Sequence, residues 1–334
     1  MISAAPLLVS LVLGASTDPY FRTRADLCPP QTDQHCLWWP GKSTVTFRQN
    51  ARGNPATDPT GTGVFDAVTR SWQTWQGIMN DCGSLTITEG AQTDDKSIGY
   101  DSSNPSANQN IVIFRQQSCL APGVVPPNHT CTLGTGDCGS VYDCWDHDAN
   151  AIALTTTTYD KCSGRIYDAD VEMNGKMPGD TSTDGFGKGF HLTLVDSPPC
   201  PTSRPDYNCV AADIRNTATH EFGHSLGLDH ICDNCVGGKF NPIFDPCDPG
   251  CPATLTSYTH STMYAQAPPG DLCKRCVDSG SRQFICDVYP KGKTAVDCVA
   301  SKSGGCSAAP AGPMIALALL GIRILATRRD RRRR

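Results

Sequence analysis

The chain has 334 residues, among them 19 cysteines, 25 prolines and 31 glycines, and a formal net charge of −5 at pH 7. This length can bury a large core, and the cysteine density describes a loop-rich, cross-linked fold from an oxidising compartment rather than a cytoplasmic one. Residues 307–334 hold seven arginines and one aspartate, which leaves 21 basic and 32 acidic side chains in the body, a net of about −11 that excludes nucleic acid as the partner.

Residues 1–16 are apolar and uncharged, with an h-region over 6–13 and the small residues Gly14-Ala15-Ser16 as a cleavage site, the pattern of an export signal that lacks a basic start. Ser43 to Phe47 alternates like a strand. Gly63 to Met79 has helical spacing through Phe65, Val68, Trp72, Trp75 and Ile78, an aromatic stripe that reads as core. Strand-like runs follow at Leu85 to Thr88, Asn110 to Phe114 and Ala151 to Thr158, and Arg165 to Met173 reads as a strand with acidic residues at alternate positions. His147, between Asp146 and Asp148, reads as a surface residue.

A further helix is expected from about Ala211, and it runs into His220-Glu221-Phe222-Gly223-His224-Ser225-Leu226-Gly227-Leu228-Asp229-His230, which holds three of the eight histidines. His220 and His224 are four apart, so on a helix both imidazoles face one groove. Glu221 is placed to reach a metal-bound water without being a ligand. Gly227 lets the helix stop and the chain reverse, because glycine enters the left-handed region without steric penalty, and His230 can then return to the metal. Three imidazoles with one open position is a catalytic rather than a structural zinc set. HExxH alone can arise by chance or for solubility; the added glycine and third histidine make that reading far weaker.

These eleven residues resemble HExxHxxGxxH, the signature of the metzincin clan of zinc endopeptidases. The clan also carries a methionine turn, and Ser261-Thr262-Met263-Tyr264 supplies one, with Met263 expected as an apolar floor beneath the histidines and Tyr264 not a ligand. The approach Asp213 to Thr219, and Met263-Tyr264 followed by Pro268-Pro269-Gly270-Asp271, is similar to the matrixins, although Ile231 follows the third histidine where they usually carry a small polar residue. The resemblance implies an α+β fold with a mixed twisted sheet, an active-site helix and a small irregular, disulfide-rich C-terminal subdomain. It places one catalytic domain at 17–305, divided into an upper part to about 227 and a lower part over 228–300, with Ser279 to Tyr289 containing the terminal helix. The implied activity is hydrolysis of peptide bonds in a protein or peptide substrate through a zinc-bound water, with Glu221 as general base and His220, His224 and His230 on the catalytic Zn2+. Other readings stay open: an adhesin or binding module on the same scaffold, or a zinc hydrolase of non-peptide substrates.

Matrixins also carry a second zinc and calcium. The histidines of the second zinc site have no counterparts here, since Ala151 to Thr155 and Ile166-Tyr167-Asp168 stand in their place. Ca2+ can be accommodated by Asp168, Asp170 and Glu172 or by the loop Asp180 to Gly189, because hard carboxylate oxygens suit it. Latency through a pro-segment cysteine is not expected: Cys28 has the wrong surroundings and is expected to pair with a cysteine such as Cys36. The pairs Cys232/Cys235 and Cys273/Cys276 read as disulfides before they read as a structural zinc site.

Beyond the catalytic domain, Gly304-Gly305-Cys306-Ser307 precedes an apolar stretch over 308–326, broken by Arg323, and an arginine-rich end. Residues 306–334 resemble the C-terminal sorting signals of myxobacterial surface proteins, which implies removal by a sorting protease near Cys306, with Cys306 as processing or lipidation site. The implied location is the cell surface at the outer membrane, or the medium after tail processing, with membrane contact through tail or lipid. The alternative for this segment is a permanent tail anchor.

Overall fold

A computed structural model describes residues 20–175, 190–201, 208–231 and 261–298. The leader, the loop Asp180 to Gly189, Cys232, Cys235, Cys306 and the tail lie outside the described residues. Strands and helices alternate irregularly: β1 (Phe21–Arg22), β2 (Thr44–Gln49), α1 (Thr62–Cys82), β3 (Thr86–Glu89), β4 (Asn110–Arg115), α2 (Asp137–Tyr142), β5 (Ala153–Tyr159) and β6 (Ile166–Asn174). They are followed by β7 (Leu192–Thr193), β8 (Ala212–Asp213), α3 (Ile214–Ser225), β9 (Leu228–Asp229) and α4 (Ser279–Val288). The class is α+β, with a five-stranded mixed sheet in the order β3-β2-β4-β6-β5. Every pairing in it is parallel except β5 with β6, which puts an antiparallel strand at one edge.

Alternation along β6 assigns the two faces. Ala169, Val171 and Met173 point into the main core with Val45, Phe47, Val112 and Phe114, against which the helices pack. Val64, Ala67, Val68, Ser71, Trp75, Ile78 and Met79 form the buried stripe of α1, the i, i+3, i+4 recurrence that an amphipathic helix needs. Trp75 then donates from its indole nitrogen to the carbonyl of Thr219 at 2.9 Å, so the aromatic stripe is core and also ties α1 to α3. Trp39 and the Tyr289 hydroxyl do the same for Ser225 and Leu226, at 2.8 and 2.6 Å. Carbonyls at a helix C-terminus have no intrahelical partner, and these two aromatic groups satisfy two of them inside the protein.

Gly227 ends α3 with φ +100°, in the left-handed region. A Cβ there would lie 2.6 Å from the Leu37 carbonyl oxygen, and the Gly227 carbonyl accepts from Thr23 at 2.9 Å. The reversal is therefore packed against the N-terminal segment, and β1 pairs with β9 just beyond it. Gly227→Ala is expected to lower unfolding free energy by about 1–3 kcal/mol through backbone strain alone, measured by urea titration, and to loosen His230.

The opposite face of β6 departs from expectation. Asp168, Asp170 and Glu172, expected as candidate calcium ligands, are 1, 0 and 0 % exposed. Segments before and after β4 cover them, and the second of these is framed by the disulfides Cys119–Cys144 and Cys131–Cys138. His147 is likewise no surface residue: its side chain is 7 % exposed, and Nε2 lies 2.7 Å from Glu172 Oε2. Cys28 pairs with Cys162 rather than Cys36, and Cys36 pairs with Cys298. With Cys82–Cys286, the last of these fastens α4 and the segment after it to the N-terminal half. Cys200–Cys209 is a local loop closure, and Cys273 and Cys276 are also disulfide-bonded, which rules out thiolate zinc ligation at that pair. Among the described residues no helix is long and apolar enough to cross a membrane.

Candidate metal centre

Helix α3 is started by Asp213, whose carboxylate accepts from the Asn216 amide at 2.7 Å, and Arg275 anchors that cap from Nε and Nη2 at 2.9 and 2.6 Å. The cap sets the phase of the helix, and His220 and His224 follow one turn apart on a buried face. After the Gly227 reversal His230 meets them. The three Nε2 atoms lie 3.1, 3.1 and 3.0 Å from one another.

Two of the rings have their far nitrogens fixed. His220 Nδ1–H donates to the Thr262 carbonyl at 2.6 Å, and His224 Nδ1–H donates to the Leu228 carbonyl at 2.9 Å. A neutral imidazole protonated at Nδ1 presents a lone pair at Nε2, so these two rings turn lone pairs toward each other with no proton between them. Burial, with Lys274 and the neighbouring rings, pushes His220 well below the usual histidine range, and burial first and then His224 push His230 down to about 2. Converging uncharged donors of this kind repel unless a cation lies between them. Tetrahedral zinc at 2.0–2.1 Å from each nitrogen requires nitrogens about 3.3–3.4 Å apart, within a few tenths of an ångström of what is found. The donor set fits a zinc ion.

Met263 lies directly under α3, 1 % exposed, with its sulfur where a side chain at Gly223 would have to go. The turn is held in place by Asp278, whose Oδ2 accepts from the Thr262 amide at 2.7 Å and the Ser261 hydroxyl at 3.0 Å, while Oδ1 caps α4 at Ser281. The same turn therefore supplies both the apolar floor and the carbonyl that orients His220. Ile231, an irregularity by sequence, has a packing reason: it is 4 % exposed, and its amide donates to the Met263 carbonyl at 3.0 Å.

Glu221 is 5 % exposed, and its Oε2 accepts from the Thr155 hydroxyl of β5 at 2.7 Å. Burial raises its carboxyl above the ordinary value, against the pull of His224, Thr155 and Lys274. Lys274 is itself buried; its ammonium donates to the carbonyls of Tyr264 and Gln266 at 2.5 and 2.8 Å, and burial pushes it down to about 8. Thr155, Lys274, Asp278 and the carbonyls of Thr262 and Leu228 were not selected from sequence. For all but Leu228, which lies within the motif, distance along the chain from the histidines leaves no local signal, although Asp213 and Asp278 each stand three residues before the amide they cap.

Two other groups have metal-like composition, His129 with Cys131 and Cys138, and His191 with Cys200 and Cys209. In both the cysteines are joined as a disulfide, so no thiolate is offered. The expected calcium ligands on β6 are also engaged. Glu172 accepts from Arg115 Nε at 2.7 Å as well as facing His147, and the oxygens of Asp170 accept from the amides of Gly99 and Ile111 at 2.6 and 2.8 Å. Of these three carboxylates only Asp168 keeps an oxygen without a partner among the described residues. One oxygen does not make the six- to eight-oxygen cage of a calcium site.

Asp168 and Asp170 instead form a buried pair, and burial pushes Asp168 up to about 6 and raises Asp170 well above the ordinary carboxylate range. The folded protein then holds protons that the unfolded chain releases near pH 4. This contribution to stability is full below pH ~4 and is lost as pH rises through about 6. Urea midpoints from pH 4.5 to 7.5 are expected to show that fall, and Asp168→Asn to flatten it.

No protein-family model matches the chain, and no curated protein matches it. Function is therefore read from the geometry and chemistry of the centre itself.

Proposed function

We propose that this chain is a zinc-dependent endopeptidase of the metzincin clan, matrixin-like, exported and displayed or released at the cell surface. The observation that carries the reading is the triangle of His220, His224 and His230 Nε2 atoms, 3.0–3.1 Å on a side, with the buried carboxylate of Glu221 beside it. The mixed sheet with α3 beneath it and Met263 under the histidines supports the metzincin assignment, and the disulfides support export.

Zinc held by the three imidazoles would supply a Lewis acid that polarises a carbonyl and draws the pKa of water toward about 7. The protein's own residues do the rest. Thr155 holds Glu221 Oε2, which leaves Oε1 to take the proton of the attacking water and return it to the leaving amine. Burial raises the proton affinity of Glu221, which suits a group that must accept and then release a proton. Strand β5 is at the sheet edge and carries Thr155, so an extended peptide added along it would gain backbone hydrogen bonds and pass the carboxylate.

The test is to express the chain in an oxidising compartment, measure bound zinc, and follow cleavage of a proteome-derived peptide library with and without chelator. Chelator-sensitive cleavage is expected. A zinc-loaded protein that cuts nothing would favour a binding scaffold. Mass spectrometry of the native C-terminus checks processing near Cys306, and an intact Arg334 on the mature protein would exclude it.

A further inference from the structure

On the sheet face opposite the histidines there is a cavity of about 370 Å3, lined by residues that include Trp145, Asp146, His147, Asp148, Asn150 and Asn174. It lies in the insert framed by Cys119–Cys144 and Cys131–Cys138. The volume is at the small end of ligand pockets and far exceeds a metal ion.

Its chemistry is that of an acceptor. Among the described residues the lining holds no lysine or arginine, and its one basic group, His147, is engaged by Glu172 at 2.7 Å. Asp146 is consumed by the wall, accepting from the amides of Gly134, Gly136 and Cys138 at 2.7, 3.0 and 3.2 Å. Asp148 uses Oδ1 to hold the turn at Asn150, at 2.8 Å, and no described hydrogen bond takes its Oδ2. Asn174 is 2 % exposed; its Nδ2 donates to the Ala151 carbonyl at 3.1 Å, and its Oδ1 has no partner among the described residues. Trp145 is fixed by donating from Nε1 to the Asp148 carbonyl at 3.0 Å, and His147 packs edge-on against it at 5.0 Å while bonded to Glu172. A carboxylate oxygen, an amide oxygen without a partner among the described residues and the apolar indole of Trp145 in one small cavity match an organic cation, through charge, hydrogen bonding and contact with its apolar stem.

We infer that this cavity recognises a single guanidinium or alkylammonium group, carried by a basic side chain of a bound polypeptide. The polypeptide source rests on the peptidase reading; the cation site does not. Asn150 runs directly toward β5, and at most about 18 Å of chain separates it from Thr155, so a peptide extended along β5 would bring a residue about five positions from the scissile bond to the cavity. The site would then favour substrates with arginine or lysine at that distance.

The full chain carrying Glu221→Gln, in which any peptide hydrolysis is expected to be slow on the timescale of a titration, is titrated calorimetrically with N-acetylarginine amide, n-butylamine, the neutral N-acetylnorleucine amide, and an extended peptide with one arginine. Saturable, salt-sensitive binding of the two cations is expected, none of the norleucine amide, and tightest binding of the peptide. Asp148→Asn, on the partly exposed rim and of unchanged shape, and Asn174→Leu are each expected to weaken arginine amide binding by about ten-fold or more. No saturable cation binding, equal binding of the norleucine amide, or unchanged affinity in both variants would overturn the site. A peptide no tighter than the amino-acid amide would overturn the polypeptide source. Because binding is read without catalysis, failure of the peptidase reading leaves the cation result standing, and the reverse also holds.

Discussion

Glu221→Gln is expected to lower peptide hydrolysis by about 10²- to 10⁴-fold, the range over which a positioned general base accelerates proton transfer. Zinc content is expected to stay at the wild-type level, because Glu221 is not among the converging nitrogens. The amide keeps the shape of the carboxylate and can still accept from Thr155, so the fold around β5 is retained while the proton acceptor is lost. The loss belongs in kcat, with KM little changed, since the proton moves only in the chemical step. Wild-type rates in the variant with zinc bound would sink the mechanism. Thr155→Val is a milder companion: it removes the hydroxyl that fixes Oε2 and is expected to reduce kcat without removing the base.

Arg115→Ala is expected to be the most destabilising single change, by about 3–5 kcal/mol, because it leaves a carboxylate buried without its main countercharge. Arg115 is 0 % exposed and joins Glu172 at 2.7 Å, Asp143 at 3.0 Å and the Lys96 carbonyl at 2.9 Å, so one side chain ties β4 and β6 to the covering segments. Burial alone would raise Glu172, but Arg115 and His147 outweigh it and hold the carboxyl below its ordinary value. Without the guanidinium only His147 opposes the effect of burial on Glu172. Thermal or urea unfolding at neutral pH checks the loss. Glu172→Gln in the same background is expected to recover part of it, since the uncompensated charge is then gone.

Much of the secondary structure was legible from periodicity. The helix expected over 63–79 is α1, Thr62–Cys82, and the strands expected near 43, 85, 110, 151 and 165 are the five strands of the main sheet with ends shifted by at most two residues. What the pattern could not convey was the second face of β6. Aspartates and a glutamate at alternate positions read as an acidic strand able to accommodate calcium, yet a disulfide-framed insert covers them, and Arg115 and His147 engage Glu172. The pairing of Cys28 with Cys162, 134 residues apart, was equally beyond reach, since many connectivities are compatible with the same spacings.

By itself the sequence determined the three histidines, the neighbouring carboxylate and the glycine between them, because all lie within eleven residues and a helical turn fixes how such neighbours face one another. Only the tertiary structure decided that two of the rings present lone pairs, that Met263 and Asp278 form a single support beneath them, and that Thr155 reaches Glu221 from an edge strand. Apart from the bond between His224 and the Leu228 carbonyl four residues on, those facts depend on contacts between segments about 15 to 70 residues apart. Burial and hydrogen-bond satisfaction are summed over such contacts, and no local spacing records them.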